Sequence, residues 1–223
     1  MSQRIIRIEN AGPAFRARRI FFDGDPEPRT TSAAVVKRLG IEADTDVDRD
    51  DLELKIATEE VPLAKERALQ LLGYRERSAA ELLSKLKDGG YPESVASAIV
   101  QRYQEVELVD DTRFAFAWAR SRLAAGYGAR RISRELAEKG VSPEVVTSAL
   151  EQAGEPADEP ELALNSLRGR APRDRQDGQR LVRRLLGRGF SMSAALCAVE
   201  SARLATQSRA GGDTDGDTLN DLR

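Results

Sequence analysis

The stretch Gly126–Val141, GYGARRISRELAEKGV, decides the fold, because nearly the same sentence occurs twice more in the chain. It is a helical pattern that runs into a glycine and then an apolar residue. Arg77–Tyr91, RSAAELLSKLKDGGY, precedes it, and Asp177–Phe190, DGQRLVRRLLGRGF, follows it. Five columns match: Leu82, Ile132 and Leu181; Leu86, Leu136 and Leu185; Gly90, Gly140 and Gly189; Tyr91, Val141 and Phe190; Val95, Val145 and Ala194. Constant spacing across five columns marks an internal repeat, the signature of a stacked array. A glycine just past a helix takes the left-handed cap conformation without a Cβ penalty. Pro92, Ser142 or Ser191 then opens the next helix, and Ser78 with Glu81 fits a capping box.

A further helix precedes each pair: PLAKERALQLLGY, TRFAFAWARSRLAAG and ELALNSLRG. The unit is therefore three helices. Pro62 fits the first position of the first of them. The middle one carries Phe114, Ala117, Trp118 and Ser121 on one face and Phe116 and Leu123 on the other, so Trp118 is expected in the core. Cys197, in AALCAV, is expected as a small buried hydrophobe.

The first sixty residues differ. RIIRIE and FRARRIFFDG read as two or three short strands, with Asp23-Gly24 as a turn. TTSAAVVKRLG reads as a short helix capped near Thr31 or Ser32 and stopped at Gly40, and DVDRDDLELKIATEE as another with acids in its first turn. The expected fold is mainly α, with tandem three-helix repeats forming an elongated curved array behind a small N-terminal α+β extension. The expected divisions are an extension over 1–60, repeats over 61–111, 112–157 and 158–205, and an acidic disordered tail over 206–223.

The chain has 223 residues, 32% charged and 5% aromatic, with a net charge of −2. A single cysteine excludes an internal disulfide, and no apolar run has the length of a signal core or membrane span, so a cytoplasmic location is expected. Without histidine the commonest general base and metal ligand are missing. GYG lacks the spacing of a dinucleotide fingerprint and reads as a hinge-like turn. Asp110 and Asp111 sit where N-caps belong. These features argue against an enzyme, and no cofactor or metal is expected.

The arginines carry more information. Residues 168–188 hold eight arginines against two aspartates. Arg130, Arg131 and Arg134 lie opposite Ile132 and Leu136, and Arg180, Arg183 and Arg184 lie opposite Leu181 and Leu185. Arg168, Arg170, Arg173 and Arg175 extend this stripe along a loop. Copy one has Glu81 and Ser84 at the matching positions. A solvated helix face is the bland reading; phosphate or carboxylate recognition by guanidinium forks is the sharper one.

ALQLLGYRERSAAELLSKLKDGGY and LVDDTRFAFAWARSRLAAGYGARRISRELAEKGV resemble the RecX family of regulatory proteins, modulators of the RecA recombinase. Asp110, Asp111, Arg113, Phe114, Arg120, Gly128, Ile132, Glu135, Leu136, Lys139 and Gly140 carry the pattern. The third copy departs more, with a longer polar linker, RGRAPRDRQDG. The resemblance implies a monomer that binds RecA and the RecA–ssDNA filament, inhibits ATP hydrolysis and strand exchange, and so modulates recombination and DNA repair within the SOS response. With it, Arg120 and Lys139 join the stripe as candidate contacts to RecA or DNA. Weak direct DNA binding is compatible with this. The alternative is a stand-alone DNA-binding protein that uses helix pairs.

Overall fold

The computed structural model describes residues 2–154 and 159–211. The chain divides into two compact units, Met1–Phe114 and Ala115–Arg223.

The first unit opens with an antiparallel sheet. Its strands are β1 (Ser2–Ala11), β2 (Ala17–Phe22), β3 (Arg29–Ser32) and β4 (Thr45–Asp48), in the order β3-β2-β1-β4. β1 and β2 are the two strands legible in the sequence. β3 and β4 are four-residue strands, RTTS and TDVD, with no apolar alternation to announce them. The bulge between Ile5 and Arg7 lets Ile5, Ile20 and Phe22 share the buried face. Between β3 and β4 lies α1 (Ala33–Leu39), capped by Ser32, whose Oγ accepts from the Val35 amide, and stopped by Gly40.

α2 (Arg49–Tyr74) corrects the sequence reading of two helices divided at Pro62. It is one helix of 26 residues, with Asp48 as N-cap and Pro62 inside it. Proline removes the bond to the Thr58 carbonyl. The helix continues because its buried stripe does: Leu52, Ile56, Glu60, Ala64, Ala68 and Leu71. The expected division after residue 60 thus falls within a helix whose first half covers the sheet and whose second half is the first helix of repeat one. Leu63 packs against both cores.

α3 (Ala79–Asp88) and α4 (Glu93–Glu105) complete that repeat. α5 (Asp111–Ala124) begins in the first unit and continues into the second, which adds α6 (Ala129–Glu138), α7 (Pro143–Gln152), α8 (Glu159–Ser166), α9 (Arg175–Gly187) and α10 (Met192–Gly211). The mainly helical fold with tandem three-helix repeats and a small N-terminal sheet is the one expected. α10 runs six residues past the point where the disordered tail was expected to begin, and residues 212–223 lie outside those described.

The repeat grammar is visible in the backbone. Leu82, Ile132 and Leu181 are 0–2% exposed, and Leu86, Leu136 and Leu185 are fully buried. Gly90, Gly140 and Gly189 all have positive φ. The amide of the following residue reaches back to the same helical carbonyl each time: Tyr91 to Leu86 (3.3 Å), Val141 to Leu136 (3.1 Å), Phe190 to Leu185 (3.2 Å). This is the Schellman stop, and it tucks the apolar residue under the helix just ended. Removing Leu86, Leu136 or Leu185 would cost about 2–5 kcal/mol.

Candidate interaction site

Two things position the second unit's basic face. The first is a backbone crossing. The Gly128 amide donates to the Arg188 carbonyl at 2.9 Å, which ties the start of α6 to the end of α9. A Cβ on Gly128 would meet the Gly189 carbonyl at 2.6 Å, and one on Gly189 would meet the Arg131 backbone at 2.5 Å. The GYG turn is therefore a tight docking point, which corrects its reading as a hinge. Gly126 supplies the left-handed residue of the turn at φ 80°.

The second is a clamp on Glu135. Its Oε2 accepts from Trp118 Nε1 (3.1 Å) and is ion-paired with Arg122 Nε (2.8 Å), and its Oε1 accepts from Arg131 Nε (3.0 Å). Burial pushes the Glu135 carboxyl up, but the bonds from Arg131 and Trp118 and the charges of Arg122 and Arg131 outweigh it and hold the carboxyl below its ordinary value. The arginines also stack. Arg122 lies 4.5 Å from the Trp118 ring centroid, Lys139 lies 4.4 Å from the same ring, and Arg131 lies 4.4 Å from the Tyr127 ring. Arg188 is a staple: its Nη1 reaches Ser166 Oγ at 2.7 Å and the Ser166 carbonyl at 3.2 Å.

Trp118 is thus half-buried, held by its indole N–H and flanked by cations. The expectation of a core tryptophan fails because the buried positions of α5 are Phe114, Ala115 and Ala119. An indole keeps its polar edge near a partner. Cys197, expected buried, is exposed on α10; Ala194, Ala195, Ala198 and Val199 form the buried face there.

Of the arginines singled out in the sequence, Arg120, Arg130, Arg134, Arg168, Arg170, Arg173, Arg180, Arg183 and Arg184 are exposed. Arg131 and Lys139 are half-buried in the aromatic clamp. Arg170 pairs with Asp177 at 3.2 Å, and Arg134 reaches Glu138 only at 3.9 Å. Among the described residues no carboxylate pairs with Arg130, Arg180, Arg183 or Arg184. Arg175 is not in the loop but begins α9, behind the N-cap Asp174. Sequence reasoning missed Arg122, Tyr127 and Arg188; the alternation of aromatic and basic residues over 116–131 was the available signal. Of the two acids expected as caps, Asp110 caps α5 through the Thr112 and Arg113 amides, whereas Asp111 Oδ1 accepts from the Ala79 amide and caps α3 (2.8 Å).

An antiparallel sheet leading into tandem three-helix domains defines a helical-repeat protein whose second unit presents arginine and aromatic side chains together. The family models for the first and second three-helix domains of RecX match residues 64–102 and 110–150. Regulatory protein RecX of Mycolicibacterium smegmatis is 41% identical over 154 residues, covering 65% of this chain and 81% of its own. RecX of Mycolicibacterium vanbaalenii is 37% identical over 169 residues, covering 71% and 91%. The chain belongs to the RecX family of regulatory proteins. Two solved structures share the fold: a regulatory protein RecX (TM-score 0.52, 22% identity, covering 86% of this chain and 96% of that one) and RecX from Lactobacillus salivarius (TM-score 0.54, 20% identity, covering 65% and 97%). No described helix is long and apolar enough to cross a membrane.

Proposed function

We propose that this RecX-family chain is a monomeric, cytoplasmic, non-catalytic modulator of RecA, acting in recombination, DNA repair and the SOS response. It binds the recombinase and its filament on single-stranded DNA, and inhibits ATP hydrolysis and strand exchange. Its contacts are Arg120, Arg130, Arg134, Arg173, Arg175, Arg180, Arg183 and Arg184, with Arg168 and Arg170 beside them. Arg131 and Lys139 act through the aromatic clamp. The observation that carries this reading is the fixed juxtaposition of α6 and α9 through Gly128 and Gly189, which puts the unpaired arginines of repeats two and three on one preset unit. Preset cations lose less entropy on meeting an anionic partner than mobile ones. A regulator of this kind works by binding one state of the filament better than another.

The test is co-sedimentation with nucleotide-bound RecA–ssDNA filaments, with ATP turnover followed in parallel. Retention with the filament and slowed turnover are expected. No retention and unchanged turnover would sink the proposal. The stand-alone DNA-binding reading draws on the same arginines and on the half-buried aromatic rings of Trp118 and Tyr127 among them, since arginine with aromatic side chains suits single strands. It requires tight, steeply salt-dependent binding to bare single-stranded DNA.

A further inference from the structure

A second cationic site lies in the first unit, away from the arginine stripe. It is a pocket of about 380 Å³ lined by Ala14, Phe15, Arg16, Ser32, Arg67 and Tyr91, with Ala33, Ala34 and Gly89 completing the wall. The residues come from four places: the turn after β1, the end of β3, the second half of α2, and the stop after α3. None of the lining residues is acidic. Two guanidiniums line the same space: burial lowers the proton affinity of Arg67, and the Arg16 charge lowers it further. Among the described residues neither has a carboxylate partner. Two uncompensated like charges held around one pocket favour an anion between them.

The pocket also has an apolar side. Phe15 is 67% exposed, and its ring rims the pocket beside Ala14. The turn that presents it is unusual. Ala14 and Phe15 are consecutive non-glycine residues with φ near +54°. Such backbone persists only where its surroundings fix it. Here the Phe15 amide donates to the Gly12 carbonyl at 3.3 Å, and Arg18 Nη1 donates to the Phe15 carbonyl. The turn packs closely on the stop after α3, since a Cβ on Gly12 would meet the Asp88 carbonyl at 2.7 Å. An exposed aromatic ring thus stands beside two arginines that have no carboxylate partner among the described residues, Arg67 donating instead to Gln70 Oε1 at 3.4 Å. The volume is in the range that seats a small molecule and exceeds what a bare anion needs.

We infer that this pocket seats a nucleoside phosphate, with Arg16 and Arg67 on the phosphate, the Tyr91 hydroxyl as a further donor, and the Phe15 ring against the base. A phosphate with a flat ring attached satisfies both sides of the pocket at once; an acidic peptide satisfies only the arginines. The nucleotide is either free or one residue of a single strand, and arginine with a stacking ring suits either. This site needs nothing from the recombinase, so its failure and the failure of the filament proposal are separable.

The test uses the full chain with thymidine 5′-monophosphate, read by saturation transfer from protein to thymine protons, and a thymidine oligonucleotide read by anisotropy. Transfer is expected for the native chain and for Arg19→Gln, an exposed arginine of β2 outside the pocket. Arg16→Gln, Arg67→Gln and Phe15→Ala should weaken binding about five- to a hundredfold. Phe15→Leu, which keeps an apolar side chain but not the ring face, guards against a folding artefact and should weaken it too. An oligonucleotide that binds much more tightly than the monophosphate identifies a strand as the source, and the reverse identifies a free nucleotide. Unaltered binding in Phe15→Ala and Arg16→Gln, displacement by inorganic phosphate with no transfer to the base, or preferential displacement by polyglutamate would each overturn the assignment.

Discussion

Gly128 and Gly189 meet backbone to backbone, leaving no room for a Cβ on either. Gly128→Ala is expected to destabilise the second unit by about 1–3 kcal/mol through overpacking. Gly189→Ala should cost more, because φ there is +94° and the Arg131 backbone stands in the way. Gly187→Ala, two residues earlier with open space around it, should be neutral or gain up to about 1 kcal/mol of helix propensity. Trp118 is the chain's single tryptophan and lies in the second unit, so urea melts followed by its fluorescence report on that unit.

Glu135 gives a pH prediction with a definite sign. Its carboxyl is depressed in the folded chain, so the stability it contributes is present above the unfolded value of about 4.3 and is lost as pH falls through the folded one. Glu135→Gln should cost about 1–3 kcal/mol at neutral pH. The gap to the native chain should close in acid. A gap that is constant with pH would mean the clamp works by shape rather than charge.

The opposite sign is expected at Glu60. It is 2% exposed, and burial raises its carboxyl despite Thr31 and Arg29, whose hydroxyl and guanidinium donate to Oε1 at 2.7 and 3.1 Å. A raised acid favours the folded state below the unfolded value and loses that contribution as pH rises through the folded one. Glu60→Gln keeps an acceptor for Thr31 and leaves Arg29 paired with Glu53 at 2.8 Å. The variant should therefore melt at or above the native temperature at pH 7, with the advantage shrinking toward pH 4. A marked loss of stability at pH 7 would show that the Arg29 pairing outweighs desolvation.

The arginine stripe can be tested without disturbing the clamp. Arg131 should be left alone, because it holds Glu135. Changing Arg130, Arg134, Arg180 and Arg183 together to serine should weaken filament retention while helix content by circular dichroism stays constant. If these side chains meet phosphates, the salt slope of binding should fall by about 0.7 per arginine. An unchanged slope with weaker binding would assign them to an acidic protein surface, and unchanged binding would leave them as a solvated face.

What the sequence disclosed follows from what local chemistry can encode. The repeat was legible because each stop needs a glycine and each core needs the same two buried positions, Leu82 and Leu86 and their counterparts. The β1–β2 pair was legible through its apolar residues. Pro62 misled because proline usually ends a helix, whereas here a buried stripe on both sides overrides it. β3 and β4 were invisible because four residues carry too little pattern. The stripe arginines could be named, but the clamp could not: Glu135 draws together Trp118, Arg122 and Arg131 from two helices, and only the packing of α5 on α6 makes them neighbours. The role of GYG was hidden for the same reason, since its partner, Gly189, lies 61 residues away.

The stop after α3 has its own close neighbours. A Cβ on Gly90 would meet the Thr31 carbonyl at 2.5 Å and the Ala17 Cβ at 2.8 Å, so this apex is seated on β2 and β3. In the second unit the corresponding apex, Gly189, is seated on the preceding repeat. The N-terminal sheet therefore occupies, for the first repeat, the place that a neighbouring repeat occupies for the third. Stacked repeats need a terminal cap to shield the open end of the pile. The sheet thus gives the stop of the first repeat a neighbour made of strands, where the stop of the third has one made of helix.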